Sequence, residues 1–397
     1  MTASSTTANA GVAAELSFTR STDVVREEPD APLRARTLDI EAMANPDSYD
    51  QQSCWVQDCS VQPTFTPQLA KHGFTRADLS SRTELQAVFE KIRRAGAADD
   101  RDAQAVRKLL SRTMLPLSDG SRLFVLYIAP EGLIVRTAGP NRMAIARDGD
   151  RQGVNGHDAA MTVHADQDVE GTPVRQILRK TAPWLFHHNS PTRKNSFSPL
   201  YLVNLWVPLD QVTRPLALMD GCTLNRRAHQ LRYGLPTEHF LQRRSDMRVN
   251  DIWTFLHDSG QEWYFSSQMD ARQAYVFETL ATPHGAIVLP GEARAEARYR
   301  QLQAAIAAVE AGDPDQLRVA LNHDPDPTPA PVTASLSRAI GEIEAALDQA
   351  RSEAEGVCGP LRCSWLGEAR VAASRVIRKS LEMRVVGLRL PAWAFGR

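Results

Sequence analysis

The chain predicts a mainly β core, an antiparallel sandwich or jelly roll, with an α-helical N-terminal segment and an α-helical C-terminal extension. Three observations lead there. Between residues 116 and 300, short runs rich in Val, Ile, Phe, Tyr and Trp are separated by Gly, Pro, Asp and Asn, the punctuation of strands and turns. Helical periodicity is sparse between those runs, which argues against alternating βα units. On both sides of this region apolar residues recur at three- and four-residue steps, the spacing of an amphipathic helix.

Each element follows in order. Residues 1–35 are rich in Ser, Thr and Ala and read as a disordered tail. Residues 36–115 read as a helical segment packing on the core. Within it, Thr66 to Gly73 ends in a glycine stop, Leu85, Val88, Phe89 and Ile92 share one helix face, and Arg101 to Arg112 continues the pattern. The core spans 116–300 and opens with a hairpin, Leu123–Ile128 and Leu133–Arg136, turning at Pro130-Glu131-Gly132. Further strands are expected over 160–166, 201–209, 215–219, 252–257, 262–266, 274–280 and 285–289. Helical character returns at Ala295, and 301–397 reads as a helical extension. Its parts are Ala295–Ala311, a stiff proline-rich connector at 323–331, Ser335–Glu355 with Ile340, Ile343 and Leu347 on one stripe, and Ala369–Met383. Such stripes pack as a buttress on the core or form a homodimer face.

Composition excludes several classes. The chain has 397 residues, 43% of them apolar, as in ordinary globular proteins. Net charge is −1, so no global basic field exists to hold nucleic acid or an anionic membrane. The pairs Arg226-Arg227 and Arg243-Arg244 read as solvated surface. No apolar run reaches about 18 residues, the length of a membrane span. The first residues lack the basic start and apolar centre of a secretory leader, so the expected location is cytoplasmic. The five cysteines include Cys54 with Cys59 and Cys358 with Cys363, spacings at the edge of the range for a four-thiolate zinc site. Reduced structural thiols are the simpler expectation.

The residues that could carry chemistry are His164, Asp166 and His284. Along a strand, positions i and i+2 share a face, so His164 and Asp166 point the same way with Ala165 opposite. His284 sits on a later strand-like run, Thr282-Pro-His-Gly-Ala-Ile-Val288. Two imidazoles and one carboxylate on one face of a metal leave the other face open, which is how non-haem Fe(II) oxygenases are built. His157-Asp158, in a Gly/Asn loop, is a poorer chelator, and His187-His188 reads as surface or as support for a ligand. A 2-oxoglutarate co-substrate would need a buried cation for its far carboxylate, and an arginine fork suits it. Arg294 and Arg298 follow His284 at usable spacing, and either could serve. Trp206, Trp253, Phe255, Trp263, Tyr264 and Phe265 are candidate walls of an apolar pocket, or core.

Over about 160–300 the sequence resembles the AsaB/CmcJ/NvfI group of hydroxylases and desaturases, within the Fe(II)/2-oxoglutarate-dependent oxygenases. Val163-His164-Ala165-Asp166, followed by Gly171 and Val174-Arg175, is similar to that group's metal strand and the loop after it. Asn204-Leu205-Trp206-Val207-Pro208-Leu209 resembles its Asn-x-Trp-Arg-Pro-Leu motif, with Val207 in place of Arg. Pro215-Leu216-Ala217-Leu218-Met219-Asp220 resembles its Pro-Leu-Ala-Leu-Cys-Asp run. Trp263-Tyr264-Phe265, Met269 and Ala274–Phe277 resemble the stretch before its distal histidine. Pro283-His284-Gly285-Ala286 resembles the distal metal motif, and Glu296-Ala297-Arg298 its Glu-x-Arg element.

The resemblance implies a double-stranded β-helix (a cupin-like jelly roll) with iron held by His164, Asp166 and His284. It favours Arg298 over Arg294 as the co-substrate clamp and puts Asn204 and Trp206 on the co-substrate side of the pocket. It implies Fe(II), 2-oxoglutarate and O2 as cofactor and co-substrates, and a small specialised metabolite as substrate. Two other readings keep the same fold: a metal-dependent cupin-type enzyme without 2-oxoglutarate, and a non-catalytic jelly-roll binding protein.

Overall fold

The computed structural model describes residues 11–26, 31–61, 65–145, 157–158, 160–171, 181–236, 249–322 and 329–395. Arg243-Arg244, Val174-Arg175, the 153–156 loop and most of the 323–331 connector lie outside them. The strands that build the site, in chain order, are β1 (Gly11–Phe18), β2 (Asp50–Asp58), β3 (Phe74–Asp78), β4 (Arg122–Ala138), β5 (His164–Ala165), β6 (Leu200–Pro208) and β7 (Leu216–Met219). They continue with β8 (Gln230–Pro236), β9 (Val249–Phe255), β10 (Trp263–Phe265), β11 (Gln273–Glu278), β12 (His284–Ala286) and β13 (Arg378–Leu390). The main helices are α1 (Thr83–Ala95), α2 (Asp100–Leu110), α3 (Glu292–Ala311), α4 (Pro314–Asn322), α5 (Ala334–Ser352) and α6 (Arg362–Val376).

The strands make two large sheets. One runs β1-β2-β10-β7-β12-β5-β9-β8 and ends in two short strands, Arg34–Ala35 and Val24–Val25. The other runs β3-β11-β6-β13-β4 and ends in Met114–Pro116. Side-chain alternation assigns each face. In β6, Tyr201, Val203, Leu205 and Val207 pack outward with Leu85, Phe89 and Val106 of α1 and α2. Trp206, on the opposite face, packs with Leu216, Leu218 and Tyr264 of the first sheet, so this face lies between the sheets. The outer face of the first sheet, with Val56, Val163, Ala217 and Trp253, is covered by Leu302, Ile340, Ile343, Leu347 and Trp365 from α3, α5 and α6. The result is helices, sheet, sheet, helices. The mainly β jelly-roll core is as the sequence predicts, and helices flank it, but the 36–115 segment is not helical throughout: Asp50–Asp58 lies inside the first sheet and Phe74–Asp78 pairs into the second.

Four further expectations are corrected. Gly11–Phe18 is a strand, paired along its length with β2, not a disordered tail. Ala14, Leu16 and Phe18 alternate into the core, a period-two signal hidden under a Ser/Thr/Ala-rich start. Pro130-Glu131-Gly132 does not turn: Arg122–Ala138 is one strand, and both of its halves pair with β13 across an irregularity in register. The C-terminal extension is not all helix. The run expected to be helical to Met383 stops at Val376, and β13 enters the middle of the second sheet between β6 and β4. Leu381, Met383 and Val385 then face the α1/α2 layer, an alternation that a helix could not satisfy. The α5 stripe that could have formed a homodimer face, Ile340, Ile343 and Leu347, is buried within the chain itself.

The passage from β12 into α3 turns at Gly291, whose φ of 95° lies in the region glycine alone enters cheaply. A Cβ there would meet Pro331 Cα at 2.6 Å. Among the described residues no helix is long and apolar enough to cross a membrane.

Candidate metal centre

Strand pairing brings the three candidate ligands together. β5 and β12 are neighbours, and His164 stands directly opposite His284 in their antiparallel ladder. The two rings lie 4.4 Å apart between centroids. Asp166 follows β5 by one residue and points between them: His164 Nε2 is 3.7 Å from Asp166 Oδ1, and His284 Nε2 is 3.8 Å from Asp166 Oδ2. One ligand atom from each residue lies within 4.8 Å of the others, and this is the one such group of three or more among the described residues. The cysteines are free, with Cys54 and Cys59 buried, and form no four-thiolate site among those residues.

The backbone sets the tautomers. His164 Nδ1 donates to the Thr162 carbonyl at 2.9 Å, and His284 Nδ1 donates to the Thr282 carbonyl at 3.1 Å. Each ring therefore has a proton on Nδ1, and both Nε2 atoms turn toward Asp166. Metal-ligating histidines are oriented in this way, by a partner on the far nitrogen. Burial, then the neighbouring His164, pushes His284 down to about 4, so its ring is neutral at ordinary pH. Burial would raise Asp166, but His164, His284 and Arg384 together hold its carboxyl below the usual range. Neutral imidazole and ionised carboxylate are the ligating forms. The donor set and its protonation suit a divalent transition metal.

The wall facing the cluster comes from the second sheet. Asn204 Nδ2 donates to Asp166 Oδ2, and Asn204 Oδ1 accepts from the Thr279 hydroxyl at 3.2 Å. Arg384, paired with Asn204 in the β6–β13 ladder, brings its guanidinium to 3.7 Å from Asp166 Oδ1. Phe277 packs its ring 4.6 Å from that of His284. Trp206, one step further on the same face of β6, is fully buried under the Arg378 guanidinium at 5.4 Å. Glu382 receives Arg136 at 2.8 Å.

Arg294 and Arg298 are elsewhere. Both belong to α3 and turn to Glu344 of α5, at 2.5 and 3.2 Å, and Arg298 also donates to Gln301 at 3.0 Å. The charges felt by Asp166 and His284 include instead those of Arg384 and Glu382. Of the candidate wall aromatics, Trp206 and Tyr264 lie between the sheets, while Trp253, Phe255, Trp263 and Phe265 belong to the core under the C-terminal helices. His187 and His188 are buried rather than exposed: His187 Nδ1 lies 3.0 Å from Glu278 and His188 Nε2 3.2 Å from the Pro183 carbonyl. His157-Asp158 pairs beside β4. Sequence reasoning missed Thr279, Arg378 and Arg384. The available signal was Arg378, Ser380, Glu382 and Arg384 alternating with Leu381, Met383 and Val385.

A family described as an oxidoreductase/YMDC permease-like domain matches residues 133–300. Among solved structures, the chain is similar to the iron and alpha-ketoglutarate-dependent endoperoxidase NvfI, at 13% identity and a TM-score of 0.46, covering 96% of this chain and 99% of that one. A variant of that enzyme matches at 13% identity and a TM-score of 0.46, covering 96% and 98%. A different conformation of it matches at 13% identity and a TM-score of 0.43, covering 96% and 99%. No curated protein matches the sequence.

Proposed function

We propose that this chain is an Fe(II)/2-oxoglutarate-dependent oxygenase acting on an unactivated C–H bond of a small specialised metabolite. The outcome would be hydroxylation, desaturation or rearrangement, with release of succinate and CO2. One observation carries the reading: two imidazoles, each bound through Nδ1 to a backbone carbonyl and with Nε2 turned inward, meet one carboxylate between two sheets. That donor set leaves part of a metal's coordination sphere open for a keto acid and O2. The match of residues 133–300 to an oxidoreductase family, a span that holds all three ligands, agrees with it.

When bound, ferrous iron and 2-oxoglutarate would supply the oxidising chemistry, and the protein's share is placement and exclusion of water. His164, Asp166 and His284 would hold the metal. Asn204, anchored by Thr279, fixes the Asp166 carboxylate. Phe277 presses the His284 ring into position, and Trp206 closes the interior beside it. Arg384 balances the charge of Asp166.

The test is an anaerobic titration of the purified protein with Fe(II) and then 2-oxoglutarate. A weak charge-transfer band in the visible should appear, followed in air by succinate release stimulated by the right substrate. Iron uptake with neither band nor succinate would leave a metal enzyme of another kind. No iron uptake would overturn the reading.

A further inference from the structure

Between β11 and β12 the chain crosses from the second sheet to the first, over residues 279–283. This crossing supports two of the three candidate ligands at once. Thr279 reaches the Asp166 segment twice. Its hydroxyl donates to Asn204, which donates to Asp166, and its carbonyl accepts the Gln167 N–H at 3.3 Å. Thr282 serves the other ligand, its carbonyl accepting from His284 Nδ1 at 3.1 Å. The crossing closes on Glu278, whose carbonyl accepts the Thr282 N–H at 3.0 Å. Any displacement of the crossing therefore moves the supports of Asp166 and His284 together.

Groups outside the metal cluster grip this crossing. The Gly73 carbonyl accepts both the Glu278 N–H at 2.9 Å and the Thr282 hydroxyl at 2.8 Å. Arg226, expected at the solvated surface, turns inward instead. Its Nη1 donates to the Ala281 carbonyl at 3.0 Å and to Gln230 Oε1 at 2.9 Å. His187 Nδ1 lies 3.0 Å from Glu278 Oε1, and its ring stacks on Tyr201 with centroids 4.3 Å apart. The His187 N–H donates to the Leu200 carbonyl at 2.7 Å, so main chain and ring are both fixed. Glu278 is 3% exposed and His187 6%. Along β11, Ala274 and Val276 pack against the α1/α2 layer, and Glu278 continues their face. A buried acid–imidazole pair adds little to stability on balance, because taking it out of water costs about as much as its attraction returns. An apolar residue would complete that face equally well. What the pair does fix is the residue from which the crossing starts.

We infer that His187, Glu278 and Arg226 are positioning residues for the metal centre, holding the 279–283 crossing so that Asp166 and His284 keep one geometry. The inference rests on the function proposed above. The three act at a remove: His187 through the Glu278 side chain, Arg226 through the Ala281 carbonyl, and the crossing through Thr279 and Thr282.

The experiment titrates the full, metal-free chain with Co(II) in competition with a chromophoric chelator. The visible bands of bound Co(II), which follow ligand geometry, and the melting temperature of the metal-free protein are recorded beside it. His187→Ala and Glu278→Ala should each weaken Co(II) by roughly 10-fold, the lower end for partners of metal ligands, and shift the bands. Glu278→Gln keeps an oxygen for His187 and should recover most of that loss. His187→Ala with Glu278→Ala should be no weaker than either alone, because both act through one bond. Arg226→Met should weaken Co(II) several-fold by itself, and it carries the test if His187→Ala does not fold. A wild type that takes up no Co(II) would sink the proposed function. A wild type that binds Co(II) while all three single losses keep its affinity within about twofold and its bands in place would overturn the positioning role alone. Affinity that falls only in step with the melting temperature, with Glu278→Gln no better than Glu278→Ala, would make the pair a prop of the fold and overturn it equally.

Discussion

Replacing Asn204 by alanine isolates the support of the metal cluster from the cluster itself. The amide makes two buried bonds, donating to Asp166 and accepting from Thr279 Oγ1 at 3.2 Å. Alanine removes both, leaving Asp166 a freer rotor and Thr279 without its acceptor. A hydrogen bond to a charged group contributes about 1.5–3 kcal/mol. Partners of metal ligands typically contribute about 10- to 100-fold in affinity, which at about 1.4 kcal/mol per tenfold is the same range. Co(II) affinity, measured by competition with a chromophoric chelator, should therefore fall by about 10- to 100-fold while the protein remains folded. Thr279→Val, which removes only the hydroxyl, should cost several-fold in the wild type and nothing further in Asn204→Ala, because its effect passes through the amide. Metal affinity of Asn204→Ala within twofold of wild type, or full additivity of the two changes, would refute the idea that this chain of bonds orients Asp166.

Three further predictions concern separate links. Asp166→Ala should abolish Co(II) and Fe(II) uptake and succinate release with little change in melting temperature; normal succinate release would remove Asp166 from the site. Glu292 is pushed up to about 7, chiefly by burial, so the folded state keeps a proton that the unfolded chain has released. Stability should accordingly decline as pH rises from about 4.5 to about 7, by at most about 3 kcal/mol, and the unfolding free energy of wild type minus Glu292→Gln should show that slope; a flat difference counts against it. Trp365 is 1% exposed and donates Nε1 to the Ala346 carbonyl at 3.0 Å, so Trp365→Ala should cost about 3–5 kcal/mol in denaturant melts, and a loss under 1 kcal/mol would mean that the α5–α6 packing is not structural.

The proposed metal ligands were legible because two independent rules meet in them. Period-two alternation put His164 and Asp166 on one face, and imidazole-carboxylate chemistry then called for a partner on another strand. Sequence could not supply the ladder that sets His164 opposite His284, because it depends on pairing between distant segments; the Thr162 and Thr282 carbonyls that fix the tautomers are local, two residues before each histidine. The arginines failed for a different reason. Spacing after His284 points to Arg294 and Arg298, but the turn at Gly291 starts a helix there and carries both to Glu344. β13 was hidden by its inverted pattern. Polar residues face the interior and apolar ones face a helical layer, and the helix that ends at Val376 leads straight into it, masking the strict alternation that begins at Arg378. The same inversion marks a strand lining a polar interior.

The position of β13 in the second sheet has a consequence for how the protein matures. β4 and β6 are both translated before it, yet each pairs with it rather than with the other. While the ribosome is still making the helices in between, those two strands expose raw edges, a known invitation to unwanted association. At about 5–20 residues per second that interval lasts on the order of ten seconds or more. The nascent chain therefore has to be shielded until β13 slots in, and the wall that faces His164, Asp166 and His284 is complete only after translation has passed that strand.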